Sequence, residues 1–330
     1  MNLKGISHYL GLFCFPISIL AFINILYSSY FDYFLSIESY FTTLFLSLIV
    51  GLALLFIGKK SKKRINFIEQ LVLIIFVYFL ISLLISIPFY LSNYQVTFIN
   101  SFFEAISGIT GTGFSIFKNI KYLDPTLILW RSSSQWIGGL YFLFFLILIF
   151  SNKHFSFKMI ELTYSSDGSI NSENNIKNLL FKIFSIYCLL SFLIFILLNV
   201  SEVRLFNSLN LSMSLISAGG FIPTDSLNKI IYSNTQKIIF IFSLLISMLN
   251  FFLILNIFEK KRILRQHSED FYLILLSAIL ILLIYFNSYG GLNLIISVLS
   301  SLSNSGLSII NSDNNLSLYF LLITIIGGSL

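Results

Sequence analysis

A short segment that cannot cross a membrane, and that ends in a cluster of glycines, constrains this chain more than any other feature. Residues 99–116, INSFFEAISGITGTGFSI, begin with about ten residues of helical character, whereas a membrane-spanning helix needs roughly 20. Gly108, Gly111 and Gly113 then end the helix and permit backbone conformations that a Cβ atom resists. Irregular backbone inside a membrane is tolerated where it is buried in protein or lines a water-filled cavity. The segment therefore predicts either a re-entrant pore loop, whose carbonyl oxygens replace the hydration shell of a cation, or a loop that only connects two apolar helices.

The same pattern occurs three times, which favours the pore loop. Several columns match when Gly113, Gly220 and Gly306 are aligned. An asparagine lies thirteen residues before each of these glycines: Asn100, Asn207 and Asn293. A serine lies six residues before: Ser107, Ser214 and Ser300. A hydroxyl residue lies three before: Thr110, Ser217 and Ser303. Because each copy also falls between two long apolar segments, the repeat predicts a building unit of helix, re-entrant loop and second helix.

The composition indicates a helical membrane protein with several spans. The chain is 57% hydrophobic and 10% charged, which is far from a soluble globular profile. The net charge of +6 then reports orientation in the membrane rather than binding to nucleic acid. Cys14 and Cys188 lie within apolar segments, and His8, His154 and His267 lie at segment ends. We therefore predict neither a disulfide framework nor a metal centre.

The apolar segments and the repeat divide the chain into four parts. We predict an N-terminal transmembrane hairpin without a pore loop at residues 1–64, a first helix–pore–helix unit at 65–152, a second unit with a preceding cytoplasmic linker at 153–265, and a third unit at 266–330 that is truncated in its last helix. In the second unit, the helices are predicted at about 177–200 and 237–258. The first hairpin helix has no cleavage site after it and is predicted to be retained rather than removed as a signal peptide.

Two basic clusters set the predicted orientation. They comprise Lys59, Lys60, Lys62, Lys63 and Arg64 in the first cluster, and Lys260, Lys261, Arg262 and Arg265 in the second. By the positive-inside rule both clusters are cytoplasmic, which also places the N-terminus on the cytoplasmic side.

Five motifs resemble the TrkH/KtrB/HKT superfamily of potassium transporters, specifically its TrkH type. They are FEAISGITGTGFS at Phe103–Ser115, LWRSSSQWIGGL at Leu129–Leu140, SLISAGGFIPTDS at Ser214–Ser226, LNFFL at Leu249–Leu253 and LLITIIGG at Leu321–Gly328. The resemblance implies an all-α membrane protein in which an N-terminal hairpin and four helix–pore–helix units surround a central ion pathway. Since the hairpin and three units are present here, it also implies that the chain is incomplete at its C-terminus and lacks the fourth unit.

The resemblance and the repeat together assign the selectivity filter, which coordinates K⁺ mainly through backbone carbonyls. Its residues are Thr110, Gly111, Thr112, Gly113, Ser217, Ala218, Gly219, Gly220, Ser303, Asn304, Ser305 and Gly306. The three glycines of the alignment are expected to be critical, because the conformation of the loop matters more than its side chains.

Glu104 and Arg131 are the clearest charged pair at the depth of the pore segment. Charges inside a membrane are rare, costly and usually paired, so we expect a structural ion pair that clamps the first pore helix to the following helix. Direct ion coordination by Glu104 is the alternative. Asp124 and Asp225 are expected on the outer face as solvated loop residues rather than as groups that concentrate cations.

Asn250 and the Gly138-Gly139 pair each have two candidate roles. Asn250 either lines the pathway or hydrogen-bonds a neighbouring helix. Gly138-Gly139 is expected to be a close helix contact rather than a gate.

The predicted function is potassium uptake across the bacterial cytoplasmic (inner) membrane, driven by the membrane potential and coupled to sodium or protons. The resemblance implies a TrkA-like cytoplasmic nucleotide-binding regulatory subunit as partner, a homodimer in the lipid bilayer, and no cofactor besides the transported K⁺. One alternative is a non-conducting remnant or accessory membrane subunit. Another is a membrane-embedded enzyme, which is disfavoured because acid, base or metal-ligating residues do not converge in one membrane layer.

Overall fold

The structure is a computed structural model that describes residues 2–59, 65–150, 173–258, 268–287, 291–309 and 314–329. Within these ranges, five helices are long and apolar enough to cross a membrane: Leu3–Tyr30, Ile37–Gly58, Phe67–Tyr90, Pro125–Ile149 and Lys177–Val200. Both basic clusters, apart from Lys59, and the polar stretch before Glu173 lie outside the described residues. The chain forms two compact units, Met1–Asn152 and Lys153–Leu330.

The first unit contains the N-terminal hairpin and the first copy of the repeat. Its helices are α1 (Leu3–Tyr30), α2 (Ile37–Gly58), α3 (Phe67–Tyr90), α4 (Phe98–Ile109) and α5 (Pro125–Phe150). Local capping explains where three of them begin. Asn66 and Glu69 form a reciprocal capping box at the start of α3. The Thr97 hydroxyl accepts from Asn100 N at the start of α4, and Asp124 Oδ1 accepts from Thr126 N at the start of α5.

Small residues and buried polar side chains bring these helices together. A Cβ atom at Gly11 of α1 would lie 2.8 Å from the carbonyl oxygen of Gly51 in α2, so the glycines permit this close packing. Helix α5 is fixed to α3 by Trp130, whose Nε1 donates to the Ile85 oxygen at 3.0 Å. It is fixed to α1 by Tyr141, whose hydroxyl donates to the Phe13 oxygen at 2.6 Å. The buried polar groups of Trp130 and Tyr141 are therefore both satisfied by a backbone partner.

The second unit contains the other two copies of the repeat. Its helices are α6 (Glu173–Val200), α7 (Leu205–Ile216), α8 (Asn234–Met248), α9 (Phe251–Phe258), α10 (Ser268–Asn287), α11 (Gly291–Leu302) and α12 (Asn314–Ser329). One apolar core includes Leu211 and Leu215 from α7, Phe240 from α8, and Ile296 and Leu299 from α11. The second and third copies of the repeat are therefore packed against each other within this unit.

The helix predicted over residues 237–258 is interrupted. Leu249 adopts an extended conformation, with φ −66° and ψ 145°, and separates α8 from α9. The Asn250 carbonyl then accepts from Ile254 N at 3.3 Å, which places Asn250 at the cap of α9. Asparagine favours this position because its side chain competes with helical backbone hydrogen bonds. The apolar sequence around it contains neither glycine nor proline, so its hydrophobic pattern predicts a continuous helix.

Candidate functional site: three capped loops

The three aligned loops begin with the same arrangement of backbone hydrogen bonds. Helices α4, α7 and α11 are each twelve residues long. Five residues beyond the aligned serine, a backbone N–H donates to the serine carbonyl: Thr112 to Ser107 at 3.0 Å, Gly219 to Ser214 at 2.8 Å and Ser305 to Ser300 at 3.1 Å. The preceding N–H donates to the residue after the serine: Gly111 to Gly108 at 3.0 Å, Ala218 to Leu215 at 3.0 Å and Asn304 to Ser301 at 3.2 Å. This pair of bonds is the Schellman motif that ends many helices.

The Schellman motif requires one residue in the left-handed region, and the three loops place different residues there. Gly111 has φ 70°, Ala218 has φ 51° and Asn304 has φ 56°. Glycine adopts this conformation freely and asparagine tolerates it, whereas a left-handed conformation costs other L-residues about 1–2 kcal/mol. Ala218 therefore adopts the conformation that the cap requires although this conformation is unfavourable for alanine.

The buried serine of each loop also holds the chain that leaves the helix. The Ser107 hydroxyl donates to the Phe114 oxygen at 2.6 Å, and the Ser214 hydroxyl donates to the Gly219 oxygen at 2.8 Å. In the third copy the hydroxyls of Ser300 and Ser305 are 3.1 Å apart. The aligned serine thus uses both its carbonyl and its hydroxyl to fix the loop, which is the role that the sequence pattern by itself did not reveal.

The first hydroxyl residue of each assigned filter segment bonds to its own helix. Thr110 Oγ1 donates to the Ile106 oxygen at 2.7 Å, Ser217 Oγ to the Met213 oxygen at 2.9 Å and Ser303 Oγ to the Ser300 oxygen at 3.2 Å. These side chains complete the helix ends.

The aligned glycines do not share one conformation. Gly113 and Gly306 have left-handed backbones, with φ 77° and 65°, whereas Gly220 does not adopt a positive φ. A substitution at Gly113 or Gly306 is strained whatever space surrounds it.

Glu104 and Arg131 form a buried ion pair that also reaches the segment beyond the loop. Arg131 Nε donates to Glu104 Oε1 at 2.8 Å, and the exposed fractions of the two side chains are 1% and 0%. Ser115 Oγ donates to the same carboxylate oxygen at 3.0 Å, and Ile116 N donates to Oε2 at 2.9 Å. Arg131 in turn donates to Ser115 Oγ at 2.9 Å and stacks over the ring of Phe117. One carboxylate therefore joins α4, the chain that leaves the loop, and α5.

The other two loops have no charge at the position of Glu104. Nine residues before the aligned glycine, the second copy has Leu211 and the third has Ser297. Leu211 is buried in the apolar core, and Ser297 Oγ donates to the Asn293 oxygen of its own helix at 3.1 Å. The ion pair at this position thus occurs in the first copy of the repeat and not in the second or third.

The prediction that Asp124 is a solvated loop residue is wrong. Only 5% of its surface is exposed, because it caps α5 and accepts from Ser36 Oγ at 3.0 Å. Its backbone N–H donates to the hydroxyl oxygen of Tyr94, and burial is the main cause that raises the pKa of this tyrosine. Asp225, in contrast, lies at the surface and pairs with Lys229 at 2.9 Å.

Gly138 makes a close contact with the end of the first short helix. A Cβ atom at Gly138 would lie 2.1 Å from the carbonyl oxygen of Ile109, the last residue of α4. Gly327 of α12 stands in the same relation to Leu302, the last residue of α11, again at 2.1 Å.

These features define a class of protein: a helical, multi-pass membrane protein built from repeats in which a short helix ends in a capped loop. The family model of TrkH, described as a cation transport protein, matches residues 36–316. The chain therefore belongs to the TrkH family of cation transport proteins, and the resemblance drawn from its motifs is confirmed. This is a family of transporters and not of enzymes.

Individual relatives agree with the family. An uncharacterized cation transporter of Methanocaldococcus jannaschii is 25% identical over 335 aligned positions, covering 99% of this chain and 68% of the relative. The potassium uptake protein TrkG of Escherichia coli is 28% identical over 106 positions, covering 32% of this chain and 22% of the relative. The crystal structure of the potassium transporter TrkH from Vibrio parahaemolyticus superimposes with a TM-score of 0.81. The superposition covers 99% of this chain and 70% of the Vibrio chain, at 18% sequence identity. It confirms the predicted helical membrane fold.

Proposed function

We propose that this protein takes up potassium across the cytoplasmic membrane and that the three loops supply the carbonyl oxygens that select the ion. The observation that carries the proposal is the Schellman cap shared by the three loops. It places the residues Thr110–Gly113, Ser217–Gly220 and Ser303–Gly306 directly beyond the C-terminal ends of three short helices. The C-terminal end of a helix carries partial negative charge, which favours a cation nearby.

Potassium is proposed as the substrate because of the loop chemistry and the relatives. Backbone carbonyls replace the hydration shell of K⁺ in selectivity filters, and the side-chain hydroxyls at the start of these loops are already bonded to their helices. Several relatives are named potassium uptake proteins. We further propose coupling to protons or sodium, a TrkA-like nucleotide-binding regulatory partner, a homodimer and a cytoplasmic N-terminus.

The test is uptake of rubidium, a potassium substitute, by a potassium-uptake-deficient bacterium that expresses the protein from its complete gene. We expect growth at low external potassium and rubidium uptake that sodium does not inhibit. Replacement of Gly113 by Ser should weaken the rejection of sodium, because Gly113 is in the left-handed region with φ 77°. Selective rubidium uptake that is unchanged in Gly113→Ser would contradict the filter assignment. Failure of the unmodified protein to support uptake would instead favour an accessory role.

A further inference from the structure

Two glycines outside the filter occupy equivalent positions against the first and third loops. Gly138 lies in α5, the helix after the first loop, and Gly327 lies in α12, the helix after the third loop. A Cβ atom at either position would lie 2.1 Å from one carbonyl oxygen, that of Ile109 for Gly138 and that of Leu302 for Gly327. Ile109 and Leu302 occupy the same column of the repeat, four residues before the aligned glycine. The contact is therefore repeated in two separate units of the chain.

We infer that Gly138 and Gly327 are positioning residues that set the location of the first and third filter loops. The inference rests on the proposed function and extends it to residues that do not touch the ion. In each case the contacted carbonyl belongs to the last helical residue, and the filter segment begins at the next residue, Thr110 or Ser303. The hydrogen at the glycine Cα is the one substituent small enough to let a helix end approach this closely. The absence of a side chain at these two positions thus determines how near each loop lies to its following helix.

The size of the perturbation follows from the distances. Real Cβ atoms essentially never lie closer than 3.0 Å to such an oxygen, and the present separation would be 2.1 Å. An alanine at either position would force the carbonyl to retreat by about 1 Å, because packed interiors have few voids to absorb the methyl group. Binding sites generally have to hold their groups within about 0.5 Å of the required geometry. The displacement is therefore large enough to change ion selection and not only stability.

The second loop differs in this respect. Helix α8, which follows it, contains no glycine in its sequence NTQKIIFIFSLLISM. The end of α7, where the second loop begins, has apolar surroundings instead, since Leu215 and Phe240 share one buried core and Ile216 packs against that core. The positioning role is accordingly assigned to the first and third loops alone.

The test compares Gly138→Ala and Gly327→Ala with Gly11→Ala as a matched control. A Cβ atom at Gly11 would lie 2.8 Å from the Gly51 oxygen, so the control also crowds two membrane helices but contacts no loop. For each variant, rubidium uptake and its inhibition by sodium are measured per molecule of protein in the membrane. We expect the KM for rubidium to rise roughly tenfold or more in Gly138→Ala and Gly327→Ala, with sodium becoming an effective competitor. Gly11→Ala should lower the amount of protein while leaving KM and sodium rejection unchanged.

Several other outcomes would overturn the inference. Wild-type KM and sodium rejection in both loop variants would show that the contacts do not position the filter. If Gly113→Ser alters selectivity while these variants do not, the proposed function stands and only the inference fails. If one variant is absent from the membrane, the other decides, because the two glycines lie in different units. Absence of both variants with Gly11→Ala present would assign the contacts to folding. Lack of rubidium uptake by the unmodified protein would overturn both proposals.

Discussion

Removal of the Arg131 side chain tests how strongly the buried ion pair holds the first loop. In Arg131→Met the Glu104 carboxylate loses its Nε donor at 2.8 Å and keeps two donors, Ser115 Oγ at 3.0 Å and Ile116 N at 2.9 Å. The carboxylate remains buried without a counter-charge. Removing one partner of a buried pair typically costs about 3–5 kcal/mol for that reason. We expect a loss of this size in the free energy of unfolding.

A double-mutant cycle separates the interaction from other effects of the substitutions. Glu104→Gln retains the shape of the side chain, and Arg131→Met retains much of its length. The double variant buries no uncompensated charge, so it should be more stable than the sum of the single losses predicts. We expect a coupling energy of roughly 2–3 kcal/mol, near the upper end of values for residues in direct contact.

A control pair is available elsewhere in the chain. Asp225 and Lys229 form an ion pair of similar length, 2.9 Å, but their side chains are 26% and 56% exposed. Exposed pairs contribute about 0–1 kcal/mol, since water already solvates both charges. The cycle of Asp225→Asn and Lys229→Met should therefore give a coupling energy at least about 1 kcal/mol smaller than that of the buried pair.

Exchange of the two charges should recover only part of the stability. The Ile116 N–H and the Ser115 hydroxyl both donate to the carboxylate at position 104. An arginine there offers no acceptor to these donors. We expect Glu104→Arg combined with Arg131→Glu to be less stable than the neutral double variant.

The assay is reversible unfolding by sodium dodecyl sulfate in mixed micelles, followed by tryptophan fluorescence. Trp130 is buried beside Arg131 and reports on this region. A loss below about 1 kcal/mol in Arg131→Met, or a coupling energy no larger than that of the exposed pair, would refute the clamp.

Two further predictions concern the second and third loops. Ala218→Gly should stabilise the protein by about 1 kcal/mol, because Ala218 has φ 51° and glycine removes the left-handed penalty. As a control, Ala105→Gly within helix α4 should destabilise the protein. Thermal unfolding that ranks the two variants in the opposite order would contradict the strain assigned to Ala218. Asn228→Ala removes a hydrogen bond of 2.9 Å from Nδ2 to the Ile309 oxygen and should cost about 0.5–1.5 kcal/mol. Asn228→Asp should lose more stability than Asn228→Ala in the same thermal assay, because a carboxylate cannot donate a hydrogen bond to the Ile309 oxygen. Equal stability of the two Asn228 variants would exclude the contact.

The loops could be located from the sequence because their cap geometry depends on local residues. In each copy the carbonyl of the aligned serine accepts from the N–H five residues later, and the aligned hydroxyl residue bonds to a carbonyl of its own helix; roles of this kind recur at fixed spacing. The pairing of Glu104 with Arg131 could be predicted because an unpaired charge is too costly inside a membrane.

Other features depend on tertiary contacts that the local sequence does not predict. Asp124 is buried because Ser36, 88 residues away in sequence, donates to it. Phe114, Phe221 and Leu307 share one column of the repeat, yet Phe114 is 69% exposed while the other two are buried. The break at Leu249 lies in an apolar segment without glycine or proline. In each case the neighbouring elements, and not the residue type, determine the environment.

The three caps have one geometry but are secured by different forces. The first is braced by an ion pair and its hydrogen bonds, while the second rests on apolar packing around Leu211. Electrostatic and apolar contributions respond differently to heat, and a bilayer's polarity and fluidity also vary with temperature and lipid composition. The loops therefore need not fluctuate together when growth conditions change. Segments that share one backbone geometry can in this way respond differently to their surroundings.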